Sequence, residues 1–191
     1  MQKRKIILAS ESPRRKKMLE QLGLKFEVVK SGYEEDMNAV ADSNELAKLL
    51  AYKKAEAVAK YYEDAVVIGA DTFTIFENKF IGKPKDENDA RKILKNFSGK
   101  EHKVITGLSV IDTKNNKAVK LTGEAIIKFR VLDDQEIEAY IKTGEPLDAA
   151  GGYNINNQGA TLIESVNGDY YVVVGFPLSR LYVELRKMGV V

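Results

Sequence analysis

Ile6-Ile7-Leu8-Ala9-Ser10-Glu11-Ser12-Pro13-Arg14-Arg15-Lys16-Lys17 reads as a strand that turns into a helix. Ser12 is a good N-cap residue, and Pro13 fits the first helical position, where its missing N–H costs nothing. The next four residues are all cationic. That is the wrong charge for a helix N-terminus, whose unsatisfied N–H groups and dipole already favour anions. Such a cluster makes sense if an anion sits among the cations. Phosphate suits backbone N–H groups and forked guanidinium donors. The first twenty residues therefore point to a phosphate-bearing ligand at the carboxyl end of a strand.

Outward from this motif, residues 13–22 form the first helix, stopped by Gly23. Residues 26–29 give a second strand, followed by an acidic loop, Ser31-Gly32-Tyr33-Glu34-Glu35-Asp36. Ser43 caps a long helix to about Tyr62. The run Ala65-Val66-Val67-Ile68-Gly69-Ala70 predicts a strand buried on both faces and ending at Asp71-Thr72. Residues 73–76 and 79–81, joined at Glu77-Asn78, read as a hairpin closed by Gly82-Lys83-Pro84. Asp86 or Asn88 opens a helix to about Phe97. Two long strands follow over residues 103–112 and 118–129. Asp133-x-x-Glu136 resembles a capping box for a helix that Gly144 ends. Residues 147–159 form a loop rich in Gly and Asn. Residues 161–165 and 170–174 read as strands about the turn Asn167-Gly168-Asp169, and Pro177 starts a last helix to Met188. Mixed elements in this order predict an α/β or α+β fold with a mixed sheet.

The 191 residues can bury one substantial core, in one domain or two packed lobes. A net charge of +2 argues against nucleic acid or an acidic membrane as partner. The first twenty residues are the exception, with seven cations against two carboxylates. Zero cysteines exclude disulfides, thiolate metal sites and Cys nucleophiles, which fits a reducing, cytoplasmic compartment. His102 is the single histidine, so a multi-His metal site is impossible. It reads as a surface residue. The apolar run at residues 6–9 is too short for a signal peptide, and no apolar stretch approaches membrane-spanning length.

Five places could carry chemistry. Asp71 follows a buried strand, where open sheets put ligand sites, and its carboxylate could hold a metal, act as a general base or simply close a turn. Glu34, Glu35 and Asp36 supply hard oxygen ligands that suit magnesium or manganese, or they are a solvated loop. Lys54 lies within the apolar stripe of its helix, either snorkelling to water or pointing inward at an anion. Gly82-Lys83-Pro84 resembles a phosphate-binding turn without being a Walker motif. Ala150-Gly151-Gly152-Tyr153-Asn154-Ile155-Asn156-Asn157-Gln158-Gly159 could approach a ligand closely and hydrogen-bond a base.

Together these segments resemble the Maf family of nucleoside triphosphate pyrophosphatases, close to end to end. The resemblance rests on the opening motif from Ile7 to Arg15, the acidic loop near Glu34, and Lys54 in Leu50-Ala51-Tyr52-Lys53-Lys54-Ala55. It also rests on Gly69-Ala70-Asp71-Thr72, Gly82-Lys83-Pro84, Thr106-Gly107, Glu145-Pro146-Leu147-Asp148 with Ala150-Gly151, and Val174-Gly175-Phe176-Pro177-Leu178. Arg14-Arg15, Thr72 and the Ala-Gly-Gly-Tyr loop look like the branch that prefers dTTP and UTP.

The resemblance implies a single Maf-type domain over residues 1–191, with an elongated mixed sheet, flanking helices and two lobes around a central cleft. It implies a homodimer that cleaves a nucleoside triphosphate to the monophosphate and pyrophosphate with a divalent metal, Mg²⁺, Mn²⁺ or Co²⁺. Asp71 would be the catalytic base and a metal ligand, with Glu34 supporting the metal. Ser10, Arg14, Arg15, Lys54 and Lys83 would bind substrate, and Arg14 and Thr72 match specificity positions. Asn156 stands where that branch usually has Gln, with Gln158 two positions on. A rival reading is a nucleotide-binding regulator of cell division and septum formation with little turnover.

Overall fold

The computed structural model describes residues 4–37 and 39–191. One seven-stranded mixed sheet organises the chain. Its strands are β1 (Lys5–Leu8), β2 (Glu27–Val28), β3 (Ala65–Phe76), β4 (Lys79–Ile81), β5 (Glu101–Asp112), β6 (Lys117–Phe129) and β7 (Ile163–Gly168). They run in the order β2-β1-β3-β5-β6-β7, with β4 paired to β3. β1 is parallel to both β2 and β3, whereas the β3–β4 and β6–β7 pairs are antiparallel. The helices are α1 (Pro13–Gln21), α2 (Ser43–Ala59), α3 (Glu87–Phe97), α4 (Asp134–Ile141), α5 (Tyr170–Val174) and α6 (Leu178–Lys187). No helix among the described residues is long and apolar enough to cross a membrane.

The chain divides into two compact units, and β3, β5 and β6 each contribute a segment to both. The first unit comprises Met1–Asp71, Thr106–Gly123 and Val174–Val191. In it α2 lies directly against the sheet. A Cβ on Gly69 would stand 2.4 Å from the Ala51 carbonyl oxygen, and one on Gly107 would stand 1.9 Å from that of Ala47. Only glycine lets the helix backbone come this close to β3 and β5. The buried face of α2 is Leu46, Ala47, Leu50, Ala51, Ala55 and Val58. Part of that face packs with Ile7, Ala65 and Val67 into one apolar cluster. Each fully buried Leu contributes about 2 kcal/mol relative to an exposed one.

The second unit comprises Thr72–Ile105 and Glu124–Val173. Its core is aromatic. Phe76, Phe97, Phe129 and Tyr153 pack with Leu94, Ile127 and Ile137. α4 begins with the capping box expected of Asp133 and Glu136. The β3–β4 hairpin turns at Glu77 and Asn78, both at positive φ, as a two-residue turn of this hand requires.

Four expectations need correction. β3 does not end at Asp71 but continues to Phe76, so Asp71 is a strand-interior residue. Asp42, not Ser43, caps α2, because its carboxylate accepts the Glu45 N–H while Ser43 is already helical. Residues 170–174 form α5 rather than a strand, so β7 pairs with β6 and not with them. Their run of Tyr and Val has strand propensity that the surrounding fold overrides. His102 is buried, at 3% exposure, inside the aromatic core. Its ring stacks on Phe97 at 4.1 Å, and its Nε2 is 2.9 Å from the Tyr153 hydroxyl.

Candidate active site

Ser12 sits at the N-cap of α1, yet its side chain makes no capping bond. The hydroxyl at this helix start belongs to Ser10. It accepts the Ser12 N–H at 3.3 Å and the Arg15 Nη1–H at 3.1 Å. Arg15 turns inward. Its Nε donates to the Gly175 carbonyl at 3.1 Å, and its guanidinium carbon lies 5.9 Å from the Phe176 ring centre. Arg14 is half-buried, while Lys16 and Lys17 face solvent. The four cations thus divide, with Arg15 buried, Arg14 half-buried and the two Lys toward water. A buried guanidinium stays protonated, and its fork matches phosphate.

Burial lowers the Arg15 pKa, and Arg14 adds to that effect. Asp71 and Glu35 oppose it, which places Arg15 within the field of both carboxylates. Asp71 is 6% exposed. Its Oδ1 is 2.5 Å from Lys54 Nζ, and the same ammonium is 2.5 Å from Glu35 Oε1. The reason is local. Gly69 and Asp71 both point at α2, and α2 rests on Gly69 through Ala51 and Ala55. Lys54, one residue before Ala55, therefore reaches Asp71. The sequence leaves this lysine open between snorkelling to water and pointing inward, and the ion pair with Asp71 turns it inward.

The structure thus brings Ser10, Arg15, Lys54 and Asp71 into one unit, joined by Glu35. Glu34 and Glu35 are both exposed in the acidic loop, and it is Glu35 that contacts Lys54. Glu35 was legible only as one of three adjacent acids, because the loop path, not composition, selects which one turns in. Among the described residues no group of three or more acidic or histidine side chains forms a ready cation cage. The Glu35–Asp71 pair nevertheless fits magnesium chemistry. Mg²⁺ is commonly held by one or two carboxylates plus substrate phosphates, and these two already share a cation.

The other expected residues lie in the second unit. Thr72 follows Asp71 on β3, and the strand pleat sends its side chain to the opposite face. Lys83 is exposed in the turn after β4. That turn is tied to the glycine loop, since Gly151 N–H donates to the Gly82 carbonyl at 3.0 Å. Asn156 is exposed, and its Oδ1 accepts the Tyr170 hydroxyl at 2.7 Å. Glu145 holds the rest of the loop, accepting from the Gln158 and Gly159 N–H groups and from the Tyr140 hydroxyl. Neither Tyr170 nor Glu145 carried a loop-shaping role in the sequence reading.

Among known proteins, a family model described as Maf-like protein matches residues 5–188. A dTTP/UTP pyrophosphatase of Dictyoglomus turgidum is 44% identical over 98% of this chain and 97% of its own length. A protein of the same description from Bacillus cereus is 43% identical over the same shares. One from Clostridioides difficile is 44% identical over 95% of this chain and 94% of its own. In fold, the chain is similar to the structure of a HAM1 protein from Coxiella burnetii. The TM-score is 0.52 at 12% identity, covering 97% of this chain and 100% of that one. A family model over residues 5–188 and near end-to-end relatives at 43–44% identity show that this chain belongs to the Maf family.

Proposed function

We propose that this chain hydrolyses nucleoside triphosphates, dTTP and UTP in particular, to the monophosphate and pyrophosphate. The observation that carries the reading is Lys54 Nζ at 2.5 Å from both Asp71 and Glu35, beside a buried Arg15. It supports the reading by setting the Asp71 carboxylate, the base in this proposal, next to cations suited to phosphate. The 43–44% identity to proteins named dTTP/UTP pyrophosphatase supports the substrate class.

In this reading Arg14, Arg15 and Lys54 offset the triphosphate charge, and the Ser10 hydroxyl keeps Arg15 aimed. The Asp71 carboxylate takes a proton from water as the water oxygen bonds to the α-phosphorus. The bond from that phosphorus to the bridging oxygen breaks, and pyrophosphate leaves with the electron pair. Fixed cations stabilising charge on the transferring group supply most of the acceleration in such chemistry. A divalent cation, Mg²⁺, Mn²⁺ or Co²⁺, held by Asp71 and Glu35 would add Lewis-acid stabilisation of the phosphate oxygens when bound. Lys83 and Thr72 are assigned to substrate binding and Asn156 to the base, in line with the family resemblance. A cytoplasmic homodimer belongs to the same reading.

The test is pyrophosphate release from a panel of nucleoside triphosphates with Mg²⁺, Mn²⁺, Co²⁺ or EDTA. Metal-dependent turnover highest on dTTP or UTP supports the proposal. Binding of dTTP without release of pyrophosphate on any nucleotide would replace it with the regulator reading.

A further inference from the structure

Lys54 has two duties that it cannot perform at once. Its ammonium is to offset the triphosphate charge, yet Nζ lies 2.5 Å from both Asp71 Oδ1 and Glu35 Oε1, on the two carboxylates assigned to a divalent cation. Those oxygens converge on one point, and the ammonium fills it. Contacts from Mg²⁺ to oxygen are shorter still, about 2.1 Å, so a metal held by both carboxylates contends for the same point. Two cations there overlap and repel. Lys54 is the one able to leave. Its helix stays where it is, because the α2 backbone rests on Gly69 through Ala51 and Ala55. Its four-carbon stem rotates, whereas the guanidinium of Arg15 is tied to Ser10 Oγ and the Gly175 carbonyl. An ammonium leaving so enclosed a place needs an anion to receive it, and phosphate oxygens supply one.

We propose that Lys54 is a stand-in for the metal. It neutralises Asp71 and Glu35 until a triphosphate draws it off, and so keeps a divalent cation from them before substrate arrives. This rests on the assignment of those two carboxylates to the metal, made above. Metal and nucleotide then raise each other's affinity, since phosphate takes the ammonium away from the point the metal needs. A metal ion alone meets carboxylates that are already paired. Removing the Lys54 charge should therefore tighten metal binding in the absence of nucleotide, the opposite of what loss of a merely supporting residue would do.

The experiment is Mn²⁺ binding without added nucleotide, by calorimetric Kd and by the rise in Tm that Mn²⁺ causes, so it needs no turnover. It compares wild type with Lys54→Met, Lys54→Gln and Lys53→Met. In wild type the metal must break two charge-assisted hydrogen bonds, and even one is worth about tenfold or more in affinity. The Mn²⁺ Kd should therefore fall at least about tenfold in Lys54→Met and in the milder Lys54→Gln, with a larger Mn²⁺-induced rise in Tm than wild type shows. Lys53→Met removes the same charge one residue away, where Lys53 pairs with Glu56, and its Kd should stay near wild type. Adding Glu35→Gln to Lys54→Met should abolish the gain. Equal Mn²⁺ affinity in wild type and both Lys54 variants overturns the inference, as does the absence of Mn²⁺ binding in all of them. An equal gain in Lys53→Met, or one that survives Glu35→Gln, overturns it too. Metal-dependent pyrophosphate release alongside equal Mn²⁺ affinities defeats the stand-in alone. The expected Mn²⁺ pattern without pyrophosphate release defeats the hydrolase reading alone.

Discussion

Lys54 Nζ bridges Asp71 and Glu35, 2.5 Å from an oxygen of each. The lysine comes from α2, Asp71 from the interior of β3 and Glu35 from the loop after β2. Two carboxylates this close to one point would repel each other without the ammonium between them. The side chains of Lys54 and Asp71 are only 12% and 8% exposed. Removing one member of such a pair leaves the other charge poorly solvated.

That asymmetry separates two substitutions. Asp71→Asn keeps the shape and a hydrogen-bond acceptor for Lys54 but loses charge and basicity. We expect kcat to fall by about 10²–10⁴-fold, with the nucleotide Kd within a few-fold of wild type. Lys54→Met should instead raise KM and lower stability by about 3 kcal/mol, because Asp71 then lacks its cation. Steady-state kinetics and denaturant unfolding on both variants check this. Near wild-type kcat in Asp71→Asn would refute the base assignment.

Glu35, rather than Glu34, is the loop acid that turns toward Asp71. If the two carboxylates hold the divalent cation, Glu35→Gln should raise the metal concentration for half-maximal activity about tenfold. The shift in Glu34→Gln should be smaller. Titrating Mn²⁺ into each variant at saturating nucleotide ranks them, and a larger shift for Glu34 would reassign the ligand.

The strand-to-helix motif at Ser10–Arg15 and the Asp133 capping box could both be read from local pattern, whereas the direction of Lys54 stays open in the sequence between water and the interior. Both patterns depend on neighbours a few residues away. The misreadings have the opposite character. His102 looks like a surface residue because it stands in a run of charged neighbours, Glu101 and Lys103. Its actual environment is Phe97, Phe129 and Tyr153, from three other segments. Residues 170–174 read as a strand because Tyr and Val favour one, yet β6 already has β7 as its partner there. Likewise only the path of the loop after β2 selects Glu35 among three acids. Contacts set by distant segments leave no local periodicity to read.

Close approach between α2 and β3 predicts the effect of a single methyl. Gly69→Ala would place its Cβ 2.4 Å from the Ala51 carbonyl and 2.7 Å from the Ala55 N–H nitrogen. Both are backbone atoms of a helix and cannot move separately. The helix must shift as a body, carrying Lys54 away from Asp71. Overpacking of this kind costs about 1–3 kcal/mol. We expect a lower Tm together with a raised KM, in the direction of Lys54→Met. An unchanged Tm would mean that α2 accommodates the methyl and that the contact does not position Lys54.

His102 predicts the pH dependence of stability. Burial holds its pKa down at about 3, against 6.5 when exposed. In the unfolded chain the imidazole takes up a proton as pH falls through 6.5, and in the folded chain it stays neutral until about pH 3. The unfolded state therefore binds more protons between these values, and stability falls with pH across that window. Above pH 6.5 the penalty is absent. One group contributes about 1.4 kcal/mol per pH unit, so the wild type should lose about 2 kcal/mol between pH 7 and pH 5. His102 is the sole histidine, so no other imidazole contributes to this slope. The carboxylates held low by cations, such as Asp64 beside Arg4, add their own losses only at lower pH, nearer their ordinary range. His102→Gln keeps a hydrogen-bonding group for the Tyr153 hydroxyl and removes the titration. Denaturant unfolding at pH 7 and pH 5 should show a smaller loss in the variant, even though its stability at pH 7 is lower from imperfect stacking on Phe97. Equal losses in the two proteins would mean that the imidazole is protonated within the fold at pH 5, and that its burial is looser than the contact with Phe97 implies.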